Sequence, residues 1–334
     1  MKTTSDSRYR GALYGAYIGD ALAMPAHWFY DPVELRRTFG RIDRFVAPPR
    51  EHPGSILWRS SYAPRDPEVD ILGEQRQYWG KQGGHYHQFL KAGENTLNLK
   101  LLRLALGQVD AHGAYDRDRY LSAYQEYLLN PAGHLDSYVE ECHRGFFENL
   151  RAGKRPEKAA VQEKHIGGMV AVIPLYAALR QLGQSDAEAR KHVYEHVEVT
   201  HAGKVIREAV GTLLTVASEV WAGGSLTEVL GTHLERQDLP YLQGPILRYA
   251  TQHSPDQILG RVYTTACYLD GALPATFYLA LRYSHDAEEA LIANTMAGGD
   301  NCHRGAVLGA LLGLDGGEAV FPERWRTGLA EPVG

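Results

Sequence analysis

The 334-residue chain uses cysteine only three times, at Cys142, Cys267 and Cys302. The odd number and wide spacing exclude a disulfide framework, and no CxxC pair offers a metal knuckle. So sparse a use fits a reducing compartment, and the chain is expected in the cytoplasm. An excess of basic charge is also missing: 35 Lys and Arg stand against 40 Asp and Glu, for a net charge of -5. That balance speaks against a nonspecific binder of nucleic acid or of anionic membrane. Long apolar runs are absent as well. The stretch RGALYGAYIGDALA is interrupted by Tyr14, Gly15 and Asp20 and reads as neither a signal peptide nor a membrane span. Runs of alternating apolar and polar residues are scarce, and the best strand-like piece is Ile42 to Val46.

What the sequence has is helical periodicity, with 44% hydrophobic and 10% aromatic residues to build a core. The pattern predicts helices over 9–24, 96–108, 117–129, 136–152, 168–182, 185–198, 203–221, 226–235, 256–268, 273–284, 286–296 and 303–314. The expected fold class is all-α, a single domain over 1–334 with many helices around one core. The region 47–93 breaks the pattern. It carries Pro48, Pro49, Pro53, Pro64 and Pro67 and a set of aromatics from Trp58 to Phe89. A long irregular segment of this kind is a functional loop or lid, or an insertion that wraps the surface.

Glycines recur every fourth residue twice, at Gly11, Gly15 and Gly19 and again at Gly305, Gly309 and Gly313. Residues four apart share a helix face, so each series makes a smooth strip for close backbone approach. A helical glycine costs about 1 kcal/mol against alanine, so the repetition predicts a tight packing demand, with the strips in the closest helix contacts of the core. Three segments place polar groups beside such features: GDALAMPAH (19–27), GENTLN (93–98) and GGDNCHRG (298–305). Asn95, Thr96 and Asp300 are each explained by helix capping when taken singly. Together, Glu94 and Asp300 could offer oxygen ligands to one cation, and Mg²⁺ prefers such ligands.

The order of these motifs resembles that of the ADP-ribosylglycohydrolase superfamily, which includes dinitrogenase reductase-activating glycohydrolases, ADP-ribosylarginine and ADP-ribosylserine hydrolases, and J1 crystallins. The matching pieces are GALYGAYIGDALAMP at Gly11–Pro25, then GENT, Thr200-His201, and GGDNCHRGAVLGALLG. The resemblance implies an orthogonal multi-helix bundle with a cleft for a binuclear Mg²⁺ site. It implies hydrolysis of an N- or O-glycosidic bond of an ADP-ribosyl or related ribosyl substrate, either a small molecule or an ADP-ribosylated one. The family's Thr-Asp-Asp segment falls on Gly93, Glu94 and Asn95, and its Asp-x-Asp-Thr segment on Asp300, Cys302 and His303. The implied metal positions are thus Glu94, Asn95, Thr96, Asp300 and Cys302. The departures are large, since Cys302 replaces a carboxylate, His303 a hydroxyl and His27 a glutamate. Thiolate and imidazole suit zinc, iron or copper better than Mg²⁺, so one or two magnesium ions, a softer metal and no metal all remain open.

Three readings follow. In a glycosidase, Asp300 or Glu94 orients or deprotonates water, with Arg304 holding phosphate oxygens or lying on the surface. In a second, Cys302 is a nucleophile activated at a helix start by His303 and His27, unless it is a buried small hydrophobe; His85 and His87 could join that cluster. In a third, the chain is a non-catalytic, crystallin-like or ligand-binding member. His165 stands where the family has a segment lining the substrate cleft. Asp136 and Tyr138 are expected near that cleft, and Trp28, Phe29 and Tyr30 either stack on a base or sugar or plug the space beneath the lid.

Overall fold

A computed structural model of the chain describes residues 3–60, 62 and 69–333; Pro64 and Pro67 of the irregular region lie outside the described residues. The described helices are α1 (Ser5–Ala23), α2 (Pro32–Phe39), α3 (Leu97–His112), α4 (Arg117–Leu129), α5 (Glu141–Arg151), α6 (Val172–Gln181), α7 (Asp186–Val197), α8 (Lys204–Trp221), α9 (Leu226–Arg236), α10 (Ile246–Gln252), α11 (Pro255–Ile258), α12 (Leu269–Arg282), α13 (Ala287–Met296), α14 (Asn301–Gly316) and α15 (Glu323–Arg326). Among the described residues the one sheet is a two-residue parallel pairing of β1 (Val161–Gln162) with β2 (His201–Ala202). The fold is therefore all-α, as the periodicity predicts.

The centre of the molecule is the contact between α1 and α14. These helices run antiparallel, and the two glycine series meet pair by pair: Gly11 on Gly313, Gly15 on Gly309, Gly19 on Gly305. A Cβ built on Gly15 would lie 1.9 Å from the Gly309 carbonyl oxygen, so no side chain fits there. Around this pair lie side chains with almost no exposure, such as Tyr17, Leu22, Ile173, Leu213, Phe277 and Leu308. Each is worth about 1.5–3 kcal/mol of transfer free energy. Antiparallel packing sets the C-terminal end of α1 beside the N-terminal end of α14. The residues that follow one helix and precede the other are thereby neighbours. No helix among the described residues is long and apolar enough to cross a membrane.

Three sequence expectations need correction. The helix predicted over 256–268 is a short turn, Pro255–Ile258, because Gly260 takes φ +78° and its N–H turns back to the Tyr263 carbonyl. Ile42 to Val46 forms no strand and runs in open backbone. Helix α5 begins at Glu141 rather than 136, which leaves 136–140 extended. That irregular stretch delivers Asp136 and Tyr138 to the site described next.

Candidate functional site

The site grows from a glycine turn. Gly298 and Gly299 have φ of +63° and +65°, a region that side chains avoid. A Cβ on Gly298 would stand 2.0 Å from the Phe29 carbonyl oxygen, and one on Gly299 2.1 Å from that of Thr265. The turn can therefore dock on the segment after α1: Trp28 N–H donates to Gly299 O at 2.7 Å, and Gly299 N–H to Phe29 O at 2.8 Å. Trp28 itself sits at φ +62°, a costly conformation for a bulky residue. This docking brings His27 to Asp300.

Asp300 is the first residue before α14, yet its side chain makes no capping hydrogen bond. Its Oδ1 lies 3.3 Å from His27 Nε2 and 2.8 Å from His303 Nδ1, while Oδ2 is buried without a hydrogen-bond partner. A polar row runs on from His27. Its Nδ1 is 2.6 Å from His87 Nε2, His87 Nδ1 is 2.9 Å from Asp136 Oδ1, and Lys100 Nζ is 3.6 Å from Asp136 Oδ2. His27, His87, Asp136, Asp300 and His303 are all buried. His303 Nε2 is 3.2 Å from the Asn98 amide nitrogen, which also donates to Glu140 at 2.6 Å. Thr96, Asn98, Tyr138 and Glu140 join His27, His87, Asp136 and His303 around a cavity of about 20 Å³, room for about one water molecule.

The charge states follow from the neighbours. Burial pushes His27 down to about 3, and His87 and His303 add to that against the pull of Asp300. Burial also disfavours charge on His303, but Asp300 and Glu140 outweigh it and raise the imidazole to about 10. Asp300 works against burial too, and its two histidines hold it well below the usual carboxylate range. In Asp136, Lys100 and His87 do the same. The centre thus sets two carboxylates, Asp300 and Asp136, beside a cationic His303 and a neutral His27.

The structure separates the sequence-proposed residues. Asp300, His27, His303, Asp136 and Tyr138 come together. Glu94 does not line the cavity; its carboxylate accepts the N–H of Lys91 at 2.5 Å within its own turn. Asn95 and Thr96 are engaged by Asp20 of α1. The Asn95 amide donates to Asp20 Oδ2 at 2.9 Å, the Thr96 N–H to the same oxygen at 2.8 Å, and the Thr96 hydroxyl to Oδ1 at 2.7 Å. These bonds fix the start of α3 to α1. Arg304 is wholly buried and donates to Asn294 Oδ1 and to the carbonyls of Asn294 and Gly298; it braces the glycine turn and is not on the surface. Cys302 lies in an apolar pocket with Ala23, Met24 and Leu90. Burial pushes its thiol well up, and Asp20 and Asp300 push it the same way, so it stays protonated.

His165 stands apart from the cavity. Its Nδ1 is 2.6 Å from Glu163, and it pairs by an antiparallel bridge with Tyr268. That bridge sets it beside Cys267, with which its ring shares a hydrogen bond. The sequence reading did not weigh Cys267. The one available signal, a cysteine two residues before a helix start, has no local mate; its histidine comes from about a hundred residues away. The irregular region contributes His85, Tyr86 and His87, and Tyr86 packs with Trp28 and Tyr138 over the row at ring separations of 4.3 and 6.0 Å. A larger cavity, about 740 Å³, is lined by Tyr30, Arg36, Arg41, Arg261, Thr265 and Met296 among others. Thr265 on its wall accepts the Asp300 N–H through its carbonyl at 2.8 Å, although this cavity shares no lining residue with the small one.

Two groups could hold a metal ion around His27, one with Asp300 and His303 and one with His87 and Cys302; a third, Glu140, Cys142 and His143, lies at the start of α5. The donor set of the first group is two imidazoles with one carboxylate. It does not fit the pair of magnesium ions that the resemblance implies, since magnesium asks for oxygen ligands. No curated protein matches the sequence. A solved structure described as an ADP-ribosylglycohydrolase-related protein complex is similar over 97% of this chain and 93% of that one, with 21% identity and a TM-score of 0.55; this likeness concerns the fold. The family model for ADP-ribosylglycohydrolase matches residues 1–333. With that match over the chain, and with the site built at the junction of the two glycine helices, the chain belongs to the ADP-ribosylglycohydrolase family.

Proposed function

We propose that the chain hydrolyses an N- or O-glycosidic bond of an ADP-ribosyl or related ribosyl group at the centre around Asp300. The observation that carries this reading is the buried, ionised Asp300, with one carboxylate oxygen left unpartnered and with its two histidines, His27 and His303, on the wall of a cavity of one-water size. Cleaving the bond sends its electron pair to the leaving group and leaves positive charge on the ribose ring. Asp300, held as a carboxylate by its histidines, faces that charge in a dry setting where it counts most. Its free Oδ2 accepts a hydrogen from the attacking water and aims the water's lone pair at the anomeric carbon. The row from His27 through His87 to Asp136 holds His27 in one orientation, as a carboxylate does behind a catalytic imidazole.

The larger cavity supplies room for the remainder of the substrate. Arg261 on its wall suits phosphate oxygens, as do Arg36 and Arg41 once they leave their present partners Asp256 and Glu289, and its Thr265 wall adjoins the backbone of Asp300. The test is release of free ADP-ribose from peptides ADP-ribosylated on arginine or serine, followed by chromatography. Asp300→Asn, which keeps the side-chain shape, is expected to cost about 100-fold or more. Absence of turnover on both linkages and on O-acetyl-ADP-ribose, with the family's usual magnesium or with manganese or zinc, would leave a binding protein and overturn the hydrolase reading.

A further inference from the structure

We infer that His27, Asp300 and His303 form a binding site for a single first-row transition-metal dication, of the zinc, iron(II), manganese(II) or cobalt(II) kind, where magnesium would be the default for the family. The three side chains lie with ligand atoms within 4.8 Å of one another, all buried. Two imidazoles and one carboxylate on a common corner are the donor set such ions select. The spacing agrees with it. Metal–nitrogen and metal–oxygen bonds of about 2.0–2.2 Å put adjacent ligand atoms about 3 Å apart. His27 Nε2 and His303 Nδ1 stand 3.3 and 2.8 Å from Asp300 Oδ1.

The hydrogen-bond geometry along the row is compatible with such an ion. The Asp136 carboxylate accepts, so His87 Nδ1 carries a hydrogen toward it across 2.9 Å. A neutral His87 then has a lone pair on Nε2 and needs a hydrogen from His27 Nδ1 across 2.6 Å. A neutral His27 in turn has its lone pair on Nε2, aimed at a carboxylate oxygen 3.3 Å away. With both rings neutral, lone pair faces lone pair, and Asp300 Oδ2 is also bare. A cation between them resolves the conflict. The row is then what a metal-bound histidine ordinarily has behind it, a second histidine and a carboxylate that fix its tautomer. The cavity of about 20 Å³ bordered by His27 and His303 leaves space for one exchangeable water. None of this requires the substrate to be a ribosyl compound.

The experiment uses the full chain, stripped with a chelator and dialysed against zinc, manganese or magnesium at equal concentration, with bound metal counted by elemental analysis. One equivalent of a transition metal is expected, undisturbed by a tenfold excess of magnesium. Cobalt(II) should give visible bands of a site with nitrogen ligands. His27→Gln and His303→Gln should each abolish stoichiometric binding, and Asp136→Asn should weaken it about 10–100-fold through His27. Should the histidine variants fail to fold, X-ray absorption of the wild-type chain decides by counting imidazole ligands. No retained transition metal, displacement by equimolar magnesium, or a bound ion without imidazole neighbours would each overturn the inference. A chain that hydrolyses ribosyl substrates yet binds no such ion sinks this inference alone. One that binds the ion and hydrolyses nothing sinks only the proposed function.

Discussion

Replacing Gly15 by alanine adds one methyl group at the tightest point of the α1–α14 contact, and the structure lets its cost be worked out. The new Cβ would lie 1.9 Å from Gly309 O, 2.3 Å from Gly309 C and 2.9 Å from the Phe321 ring. An unstrained carbon–oxygen contact needs about 3.3 Å, so the helices must part by about 1.4 Å. The obstacle is backbone, and no rotamer change relieves it. Nor can the helices tilt apart easily, because the flanking pairs Gly11–Gly313 and Gly19–Gly305 are as close. A gap of 0.5–1 Å already forfeits about a quarter to a half of a dispersion contact, and this one would run along buried side chains on both helices. Overpacking ordinarily costs about 1–3 kcal/mol. The backbone clash puts Gly15→Ala at or beyond the upper end, about 3 kcal/mol net, after the gain of about 1 kcal/mol in helix propensity. Equilibrium unfolding in urea measures it. Gly107→Ala is the control: it sits in α3 with nothing within 4 Å of the built Cβ, so it should gain up to about 1 kcal/mol. If Gly15→Ala unfolds at the same urea concentration as wild type, within about 0.5 kcal/mol, the reasoning about the strip fails.

Acid should weaken the fold before the carboxylates titrate. Burial pushes His196 down to about 3, so the unfolded chain binds a proton that the folded one refuses as the pH falls from about 6.5. The stability that this neutral histidine preserves is present above that pH and is lost toward pH 3, at about 1.4 kcal/mol per unit. Between pH 6.5 and 5.5, where the unfolded histidine goes from half to nearly fully protonated, the loss is about 1 kcal/mol; His196→Gln should remove it from unfolding curves at those two pH values, and an unchanged difference would refute the assignment. Iodoacetamide on the native chain should label Cys267, which is half-buried, well ahead of the buried Cys142 and Cys302. Since the His165 hydrogen bond lowers the Cys267 thiol against its burial, His165→Ala should slow that labelling several-fold at neutral pH. Peptide mapping that found the three cysteines equally modified would contradict it. Removing the Thr96 hydroxyl and methyl with Thr96→Ala takes one of the bonds to buried Asp20 and should cost about 1–3 kcal/mol by thermal or urea unfolding; a loss below about 0.5 kcal/mol would show that α3 does not depend on that bond.

Most long helices were legible because their periodicity is local. So was the demand for close packing at the two glycine strips, whose glycines recur every fourth residue on one helix face; that the strips meet each other comes from the structure. Helix α2 was missed although its signals are present: Asp31 accepts from Val33 and Glu34 N–H, and Pro32 stands at the first helical position. The capping reading of Asp300 and Thr96 was reasonable from sequence, and the coordinates send both side chains elsewhere. The centre's composition was half legible. Asp300, His27 and His303 were singled out by motif position. His87 was noticed without a role, and Asn98 and Glu140 gave no signal. Their place in the site depends on which extended segments cross the bundle, and no local pattern encodes that. Glu94 was misleading for the opposite reason: the motif put an acid in the right turn, but its longer side chain folds back on Lys91 N–H.

The pairing of α1 with α14 also sets an order of assembly. Arg8 reaches the Leu314 carbonyl across 306 positions, so in synthesis α1 waits for α14. Loop closure over such a span is slow and entropically costly. Until it happens, the glycine face of α1 stays uncovered and the histidine that follows it lacks Asp300 and His303. A nascent or truncated chain lacking α14 would therefore hold no reaction centre at all. A circular permutant joining the two helices by a short linker should refold faster than the natural order of the chain.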